Sequence, residues 1–219
     1  MKKDFWIVIP AYNESKHISK VLKKTKEYCE NIVVVDDGSK DSTYDIAKES
    51  GVYVLKNIVN MGKGATLRTG CDFALKNGAQ KIVVMDSDGQ HNPSKIPLFL
   101  NGLNKNDIVF GYRKLSENMP LILRFGNIMI NKFTRLLYGI NLKDTQWGFR
   151  SFTSKAYEKV RWSSCDYSME SEMIANAGKN KLRYFEVPIE TIYSDKYKGT
   201  TVLDGFKIVF NMIKWRLGI

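Results

Sequence analysis

Cysteine is scarce in this chain, and Pro-rich or Gly/Ser-rich linkers are missing altogether. The three cysteines, Cys29, Cys71 and Cys165, are odd in number, widely spaced and without a C-x-x-C. That argues against a disulfide framework and against a zinc site, and it fits a reducing cytosol. No uncharged apolar run reaches the ~18–20 residues that a bilayer span needs. Met1-Lys2-Lys3-Asp4-Phe5 carries no signal-peptide pattern. The expectation is a cytoplasmic protein without a transmembrane helix. The G-x-x-x-x-G-K-[ST] of a P-loop and the G-x-G-x-x-G of a dinucleotide fold are absent too, so neither nucleotide class is supported. With no repeat or low-complexity tract, 219 residues suffice for one domain with a substantial core and are short for two.

What is plentiful is positive charge: 34 Lys and Arg stand against 23 Asp and Glu, a net +11. Such a balance favours polyanionic partners, whether nucleic acid, an anionic membrane surface or phosphorylated substrates. The lysines are scattered, and Lys20, Lys23, Lys24 and Lys26 read as the solvated face of one helix. Aromatic residues are not interleaved with a basic patch, and carboxylate clusters at strand ends would repel a phosphodiester backbone. Nucleic acid is therefore not an expected partner.

The carboxylates fall at telling places. The apolar run Ile82-Val83-Val84-Met85 reads as a buried strand and leads into Asp86-Ser87-Asp88-Gly89-Gln90-His91. Alternate residues of an extended chain point the same way, so Asp86, Asp88 and Gln90 can converge. Three hard oxygen donors suit Mg²⁺ or Mn²⁺ shared with substrate phosphates; a polar turn after a strand is the plain alternative. Ile32–Val35 ends likewise in Asp36-Asp37-Gly38-Ser39, and Phe5–Ile9 ends in Pro10-Ala11-Tyr12-Asn13-Glu14. Ligands of open α/β sheets bind at the carboxyl ends of the strands, so the three clusters share one edge and face one crevice. Asn60-Met61-Gly62-Lys63-Gly64 reads as a tight loop with a basic residue near that crevice, and Arg113, just beyond a strand end, suits a phosphate. His91 reads as a base, a fourth ligand or a structural turn residue, and Trp147 as core.

Strands at 5–10, 32–35, 52–55, 81–86 and 107–111 alternate with helices near 14–29, 41–50, 64–77 and 93–103. Asp41 or Ser42 is the expected N-cap of the second helix. Regular alternation argues an α/β fold with a mostly parallel sheet and helices on both faces. The second half breaks the pattern. An amphipathic helix is predicted over 118–139, with Arg124, Asn127, Asn131 and Arg135 as its polar stripe. A helix at 168–178, an extended segment at 184–193 and a helix at 203–217 follow. The last helix sets Lys207, Asn211 and Lys214 on one face and Phe206, Phe210, Ile213 and Leu217 opposite.

Taken together, P-A-Y-N-E at 10–14, V-V-D-D-G-S-x-D-x-T at 34–43, N-x-G-K-G at 60–64, M-D-x-D-G-Q-H at 85–91, G-x-R at 111–113 and D-T-Q-x-G-F-R at 144–150 resemble the family-2 glycosyltransferases. Within that family the chain is most similar to the polyprenyl-phosphate (dolichyl-phosphate) sugar transferases, from residue 5 to about 193. The resemblance implies a GT-A-type fold in a single domain, 1–219, with a nucleotide-sugar part over 1–113 and an acceptor part over 114–219. It implies an inverting hexosyl transfer from a nucleotide-diphospho-sugar to a polyprenyl or dolichyl phosphate. A Mg²⁺ or Mn²⁺ ion would be held by Asp86, Asp88 and Gln90. Pro10, Tyr12, Glu14, Asp36, Asp37, Lys63 and Asp86 would line the donor, and Arg113, Arg124 and Gln146 the acceptor; Asp88, Arg113 and Arg124 would carry the reaction.

Downstream the chain departs from the mannose synthases of that group. Ser194–Thr201 stands where they have an arginine followed by G-x-S-K, and Lys196 or Lys198 is the expected replacement charge. With D-T-Q-x-G-F-R, this favours a UDP-sugar over GDP-mannose, Asp37 accepting the uracil imide N–H. A long isoprenoid stays largely in the bilayer, so at least one of the helices at 118–139 and 203–217 is expected at the inner face of the membrane, the protein being peripheral. The alternatives are that both helices cap the sheet, and that the acceptor is a soluble glycan or protein.

Overall fold

The computed structural model describes residues 4–113, 121–190 and 202–217, with the side chains of 121–127 and 202–206 outside the description. The Val/Ile runs form strands as expected: β1 (Phe5–Ala11), β2 (Ile32–Asp36), β3 (Tyr53–Lys56), β4 (Lys81–Val84) and β5 (Ile108–Arg113). Between them lie α1 (Ile18–Lys26), α2 (Thr43–Glu49), α3 (Lys63–Lys76) and α4 (Ile96–Gly102). Then follow α5 (Leu121–Tyr138), β6 (Arg150–Thr153), α6 (Ser154–Val160), α7 (Met169–Lys179), β7 (Tyr184–Ile189) and α8 (Val202–Leu217). The sheet order is β3-β2-β1-β4-β6-β5-β7, with β6 antiparallel to both neighbours and every other pair parallel.

Strands buried on both faces need near-continuous apolar runs, and β1, β2 and β4 have them, apart from Asp36 at the end of β2 and Lys81 at the start of β4. Trp6, Val8, Val33, Val35, Ile82 and Val84 face α3, α6 and α7 in one core; Ile7, Ile9, Ile32, Val34 and Val83 face α1 and α4 in the other. From β1 the chain winds outward through β2 to β3, then returns through α3 to β4 on the other side of β1. That reversal opens a crevice at the carboxyl ends of β1, β2 and β4.

Three differences from the sequence reading have physical causes. β4 ends at Val84, so Asp86–Gln90 is a turn and not strand. Gly89 takes a positive φ of 80° and Asp88 accepts the Gln90 N–H through Oδ1 at 2.9 Å. The carboxylates therefore gather through an Asx turn rather than through the pleat. β6 and α6 escape the periodicity because Arg-Ser-Phe-Thr shows no apolar run. Arg150 is nonetheless 1% exposed, its guanidinium donating to the carbonyls of Thr145 (2.9 Å), Trp147 (3.0 Å) and Glu170 (2.7 Å). The third difference concerns α8. It packs against α5 and α7 through Ile208 and Met212, with Val209 and Trp215 beside them. Phe210, Ile213 and Leu217, which periodicity grouped as one apolar face, point outward.

The first turn of α3 is pressed against the segment 163–165. Gly64 N–H donates to the Cys165 carbonyl at 2.7 Å, and the Trp162 indole donates to the Gly64 carbonyl at 2.8 Å. Gly62 has φ +90°, and a Cβ there would lie 2.4 Å from the Cys165 oxygen. Gly62→Ala should lower the unfolding free energy by about 2 kcal/mol or more in urea denaturation, through strain and backbone collision together. An unchanged midpoint would show that this contact does not hold the loop.

Candidate active site

Lys63, the first residue of α3, sits between two carboxylates. Its Nζ is 2.9 Å from Asp86 Oδ1 and 3.0 Å from Glu170 Oε1, with side-chain exposures of 18%, 26% and 4%. Burial disfavours the ammonium, but Asp86 and Glu170 outweigh it and raise the Lys63 pKa above its ordinary value. Burial opposes ionisation of Asp86 as well; Lys63 first and then His91 reverse that, and its pKa lies below the usual carboxylate range. Gly148 makes the approach possible, since a Cβ there would lie 3.0 Å from Asp86 Oδ2 and 3.1 Å from Lys63 Nζ.

Asp88 stands close enough to Asp86 to feel its charge: burial, then that repulsion, raise its pKa. Two carboxylates that repel one another are a cation-binding arrangement. Among the described residues no group of three or more His, Cys, Asp or Glu side chains is arranged to hold a metal. A cation on Asp86, Asp88 and Gln90 would therefore complete its shell with oxygens from a ligand, as Mg²⁺ does with phosphates. His91 is not one of the donors on this geometry. Its Nδ1 accepts the Asp86 N–H at 2.9 Å, its Nε2 lies 3.6 Å from Asp86 Oδ2, and burial lowers its pKa despite both aspartates.

The loops after β1 and β2 are tied together beside this centre. Glu14 N–H donates to Thr43 Oγ1 (2.8 Å), Asn13 N–H to Ser39 Oγ (2.9 Å) and Asp37 N–H to the Ala11 carbonyl (2.8 Å). Pro10 ends up buried in β1, Glu14 is 7% exposed and Tyr12 is 41% exposed. The Asp37 carboxylate, expected to meet a uracil imide, is 3% exposed and accepts three N–H donors of its own chain. These are Asn57 Nδ2 and Met61 N on Oδ1 at 2.8 Å each, and Gly62 N on Oδ2 at 2.9 Å. Asp37 thus holds the loop that presents Lys63. Asp36 is fully buried; its Oδ2 accepts Ser39 N–H at 3.2 Å, and its Oδ1 has no hydrogen-bond partner among the described residues.

On the other side Arg113 is gripped by Asp144, with Nε 2.8 Å from Oδ2 and one Nη 3.4 Å from Oδ1. Gln146, expected beside the acceptor, turns its amide onto Ser171 Oγ at 3.1 Å. Asn131 ties the same segment to α5, donating to the Lys143 carbonyl and accepting from Thr145 Oγ1. Arg124 lies on α5, its side chain outside the described residues, as are Lys196 and Lys198.

The model of glycosyl transferase family 2 matches residues 6–161. The chain belongs to that family. It is 40% identical to an uncharacterized protein of Methanocaldococcus jannaschii, over 99% of this chain and 93% of that one. It is 34% identical to the UDP-N-acetylglucosamine–dolichyl-phosphate N-acetylglucosaminyltransferase of Methanococcus voltae, over 99% of this chain and 97% of the relative. The crystal structure of glucosyl-3-phosphoglycerate synthase from Mycobacterium tuberculosis, in complex with Mg²⁺ and uridine diphosphate, superposes with a TM-score of 0.74. That likeness, at 18% identity over 98% of this chain and 79% of the other, is one of fold, GT-A.

In this family-2 glycosyltransferase, sequence reasoning missed Glu170, and it had Asp144 and Arg150 only as members of the D-T-Q-x-G-F-R motif, without a role for either. Glu170 and Glu172 open α7, where acidic residues read as ordinary partners of the helix dipole. The available signal was helical spacing: Met173, Ile174 and Ala177 follow Glu170 at i+3, i+4 and i+7, which sets it on the apolar face of the helix. Glu172 accepts the Ser163 and Ser164 N–H groups at 2.8 and 2.9 Å and so ties down the segment that holds Gly62 and Gly64.

Lys63→Met should cost about 2–3 kcal/mol at pH 7, less than for a fully buried pair because Asp86 is 26% exposed. The pH dependence should invert. In the wild type the folded pKa of Asp86 is depressed, so its contribution is present above about pH 4 and is lost as pH falls through the folded value. In the variant, uncompensated carboxylates have raised pKa values, and stability should increase as pH drops from 7 toward about 5. Urea melts across that range check it; parallel pH profiles would contradict the ion pairing.

Proposed function

We propose that this glycosyltransferase moves a hexose from a UDP-sugar to a polyprenyl or dolichyl phosphate at the cytoplasmic membrane face, with inversion and with Mg²⁺ or Mn²⁺. The observation that carries the reading is the crevice in which Asp86, 2.9 Å from the internal Lys63 ammonium, and the neighbouring Asp88 stand close enough to repel one another. A site of that charge pattern accepts a divalent cation together with a diphosphate. The cation, on Asp86, Asp88 and Gln90, supplies Lewis-acid stabilisation of the leaving nucleoside diphosphate. Lys63 screens the same charge, and Glu170 and Gly148 set where its ammonium stands. Tyr12, Glu14 and Asp36 border the nucleoside, with Pro10 beneath, and Asp37 acts through the 57–62 loop. The UDP preference draws support from the Methanococcus voltae relative and from Asp144–Arg150.

A lipid monophosphate has a second pKa of about 6 and is largely dianionic at neutral pH. Such a nucleophile needs positioning more than deprotonation. Arg113, fixed by Asp144, serves that end, and Arg124 and Lys196 or Lys198 are the further basic residues assigned to the acceptor. One direct displacement inverts the anomeric carbon.

The outward stripe of α8 supports membrane contact. Phe210, Ile213 and Leu217 are 60%, 42% and 68% exposed, and Lys207, Lys214 and Arg216 flank them. On α5, Leu136 is 79% exposed beside Arg135. No helix among the described residues is long and apolar enough to cross a membrane. An apolar stripe edged with basic residues suits the interface, each basic residue adding about 1 kcal/mol on an anionic surface.

The decisive assay offers labelled UDP-N-acetylglucosamine, UDP-glucose and GDP-mannose, each with Mn²⁺ and a short polyprenyl phosphate in anionic vesicles. Label should pass into the organic phase from a UDP-sugar, and Asp88→Ala should lower the rate at least ~100-fold while remaining folded. Preferential transfer from GDP-mannose would reverse the donor assignment, and transfer only to a soluble glycan the acceptor assignment. Phe210→Glu should cut the vesicle-bound fraction severalfold in sedimentation while leaving UDP affinity unchanged; undiminished sedimentation would exclude α8 as the contact.

A further inference from the structure

Arg113, Trp147, His91, Phe149 and Phe99 form a series of ring contacts from the crevice into the core. The Arg113 guanidinium carbon lies 4.7 Å from the Trp147 ring centre, and Trp147 lies 4.7 Å from His91. His91 stacks on Phe149 at 5.0 Å, and Phe149 on Phe99 at 4.2 Å, both with planes 16° apart. Trp147 and His91 are 6% and 2% exposed, and Phe149 and Phe99 are fully buried. Gly111 leaves room for the indole, since a Cβ there would lie 3.0 Å from Trp147 Cδ1.

The series touches functional groups at two points. His91 accepts the Asp86 N–H through Nδ1, which leaves the proton of the neutral imidazole on Nε2, facing Asp86 Oδ2 at 3.6 Å. The ring thereby holds the backbone of Asp86 and lies beside its carboxylate. At the other point Arg113 lies over the indole while Asp144 takes its Nε. Trp147 is the ring that contacts both His91 and Arg113. Its indole N–H is buried without a hydrogen-bond partner among the described residues, so its faces fix it. Aromatic stacking and a desolvated cation–π contact are each strong enough to orient a side chain.

We infer that Trp147 is a positioning residue for both substrates, the spacer that sets Asp86, through His91, at a fixed distance from Arg113. The inference rests on the transfer reaction proposed above, in which Asp86 serves the donor and Arg113 the acceptor phosphate. A ring that only filled the core would affect stability alone. This one sets donor affinity and acceptor affinity together.

The test compares wild type, Trp147→Phe, Trp147→Leu and Trp147→Ala by three readouts. The first is the imidazole ¹⁵N pattern of the ligand-free protein, read easily because the chain has two histidines. The others are the Kd of UDP with Mn²⁺ and the KM for a short polyprenyl phosphate. Trp147→Phe keeps a ring in place and should retain the Nε2–H pattern and both constants within about threefold. Trp147→Ala should lose the single tautomer and raise both constants about tenfold, with a smaller change in kcat. Trp147→Leu, which keeps more apolar volume, carries the same expectation should the alanine variant not fold. Wild-type values for all three readouts in the leucine or alanine variant, or a change in only one of the two constants, would overturn the inference. If the wild type neither binds UDP nor uses the lipid phosphate, the transfer reading fails, and the imidazole pattern alone then decides the role of Trp147.

Discussion

The ion pairs of Lys63 with Asp86 and Glu170 are the constraint on which the rest of the crevice depends. A lysine at the first position of a helix sits at the positive end of the dipole, an unfavourable place for a cation. Two carboxylates offset that, and one of them opens α7, where the dipole favours negative charge. Taking one partner away would leave a buried charge uncompensated, so the three segments that bring these side chains together cannot drift independently. Their supports are visible in the chain: Asp37 holding the loop before α3, Cys165 and Trp162 gripping Gly64, and Gly148 leaving space above the pair. Arg150 braces the far side through the carbonyls of Thr145, Trp147 and Glu170. Burial brings its pKa down to about 10, against the raising influence of Glu170, Asp144 and Asp86.

The crevice and the side that carries α8 are parts of one packing unit. Lys207 of α8 pairs with Asp166, and Asn211 reaches Ser168, in the segment whose other end holds Gly62 and Gly64. Tyr167 of that segment lies 5.5 Å from the Lys63 ammonium. A helix seated in a membrane interface would thus keep the donor crevice close to the bilayer surface, where a polyprenyl phosphate presents its headgroup.

Much of the first half was legible in the sequence because its signals are local. Apolar runs of four or five residues that lead into polar clusters declare buried parallel strands, and their carboxyl ends declare a shared crevice. Asp86 and Asp88 were read at that crevice on this logic, and Lys63 from its glycine loop, although an Asx turn, and not strand alternation, gathers the two aspartates. The second half was less legible because its determinants are not local. β6 is short and carries a buried arginine held by three carbonyls, the Met173 sulfur and the Phe110 ring, so it shows no apolar run. Glu170 looks like any acidic residue in a first helical turn until α3 supplies its lysine. In α8 both faces are apolar, and periodicity alone could not tell that Ile208 and Met212 go inward while Phe210, Ile213 and Leu217 go out.

The most direct measurement of the central claim is anomalous diffraction from crystals of the protein grown with Mn²⁺ and UDP. A manganese peak in direct coordination to Asp86 and Asp88, with the diphosphate completing its shell and Lys63 still paired to Glu170, is the predicted result. A nucleotide bound with no peak at those two carboxylates, or a peak elsewhere on the chain, would contradict it.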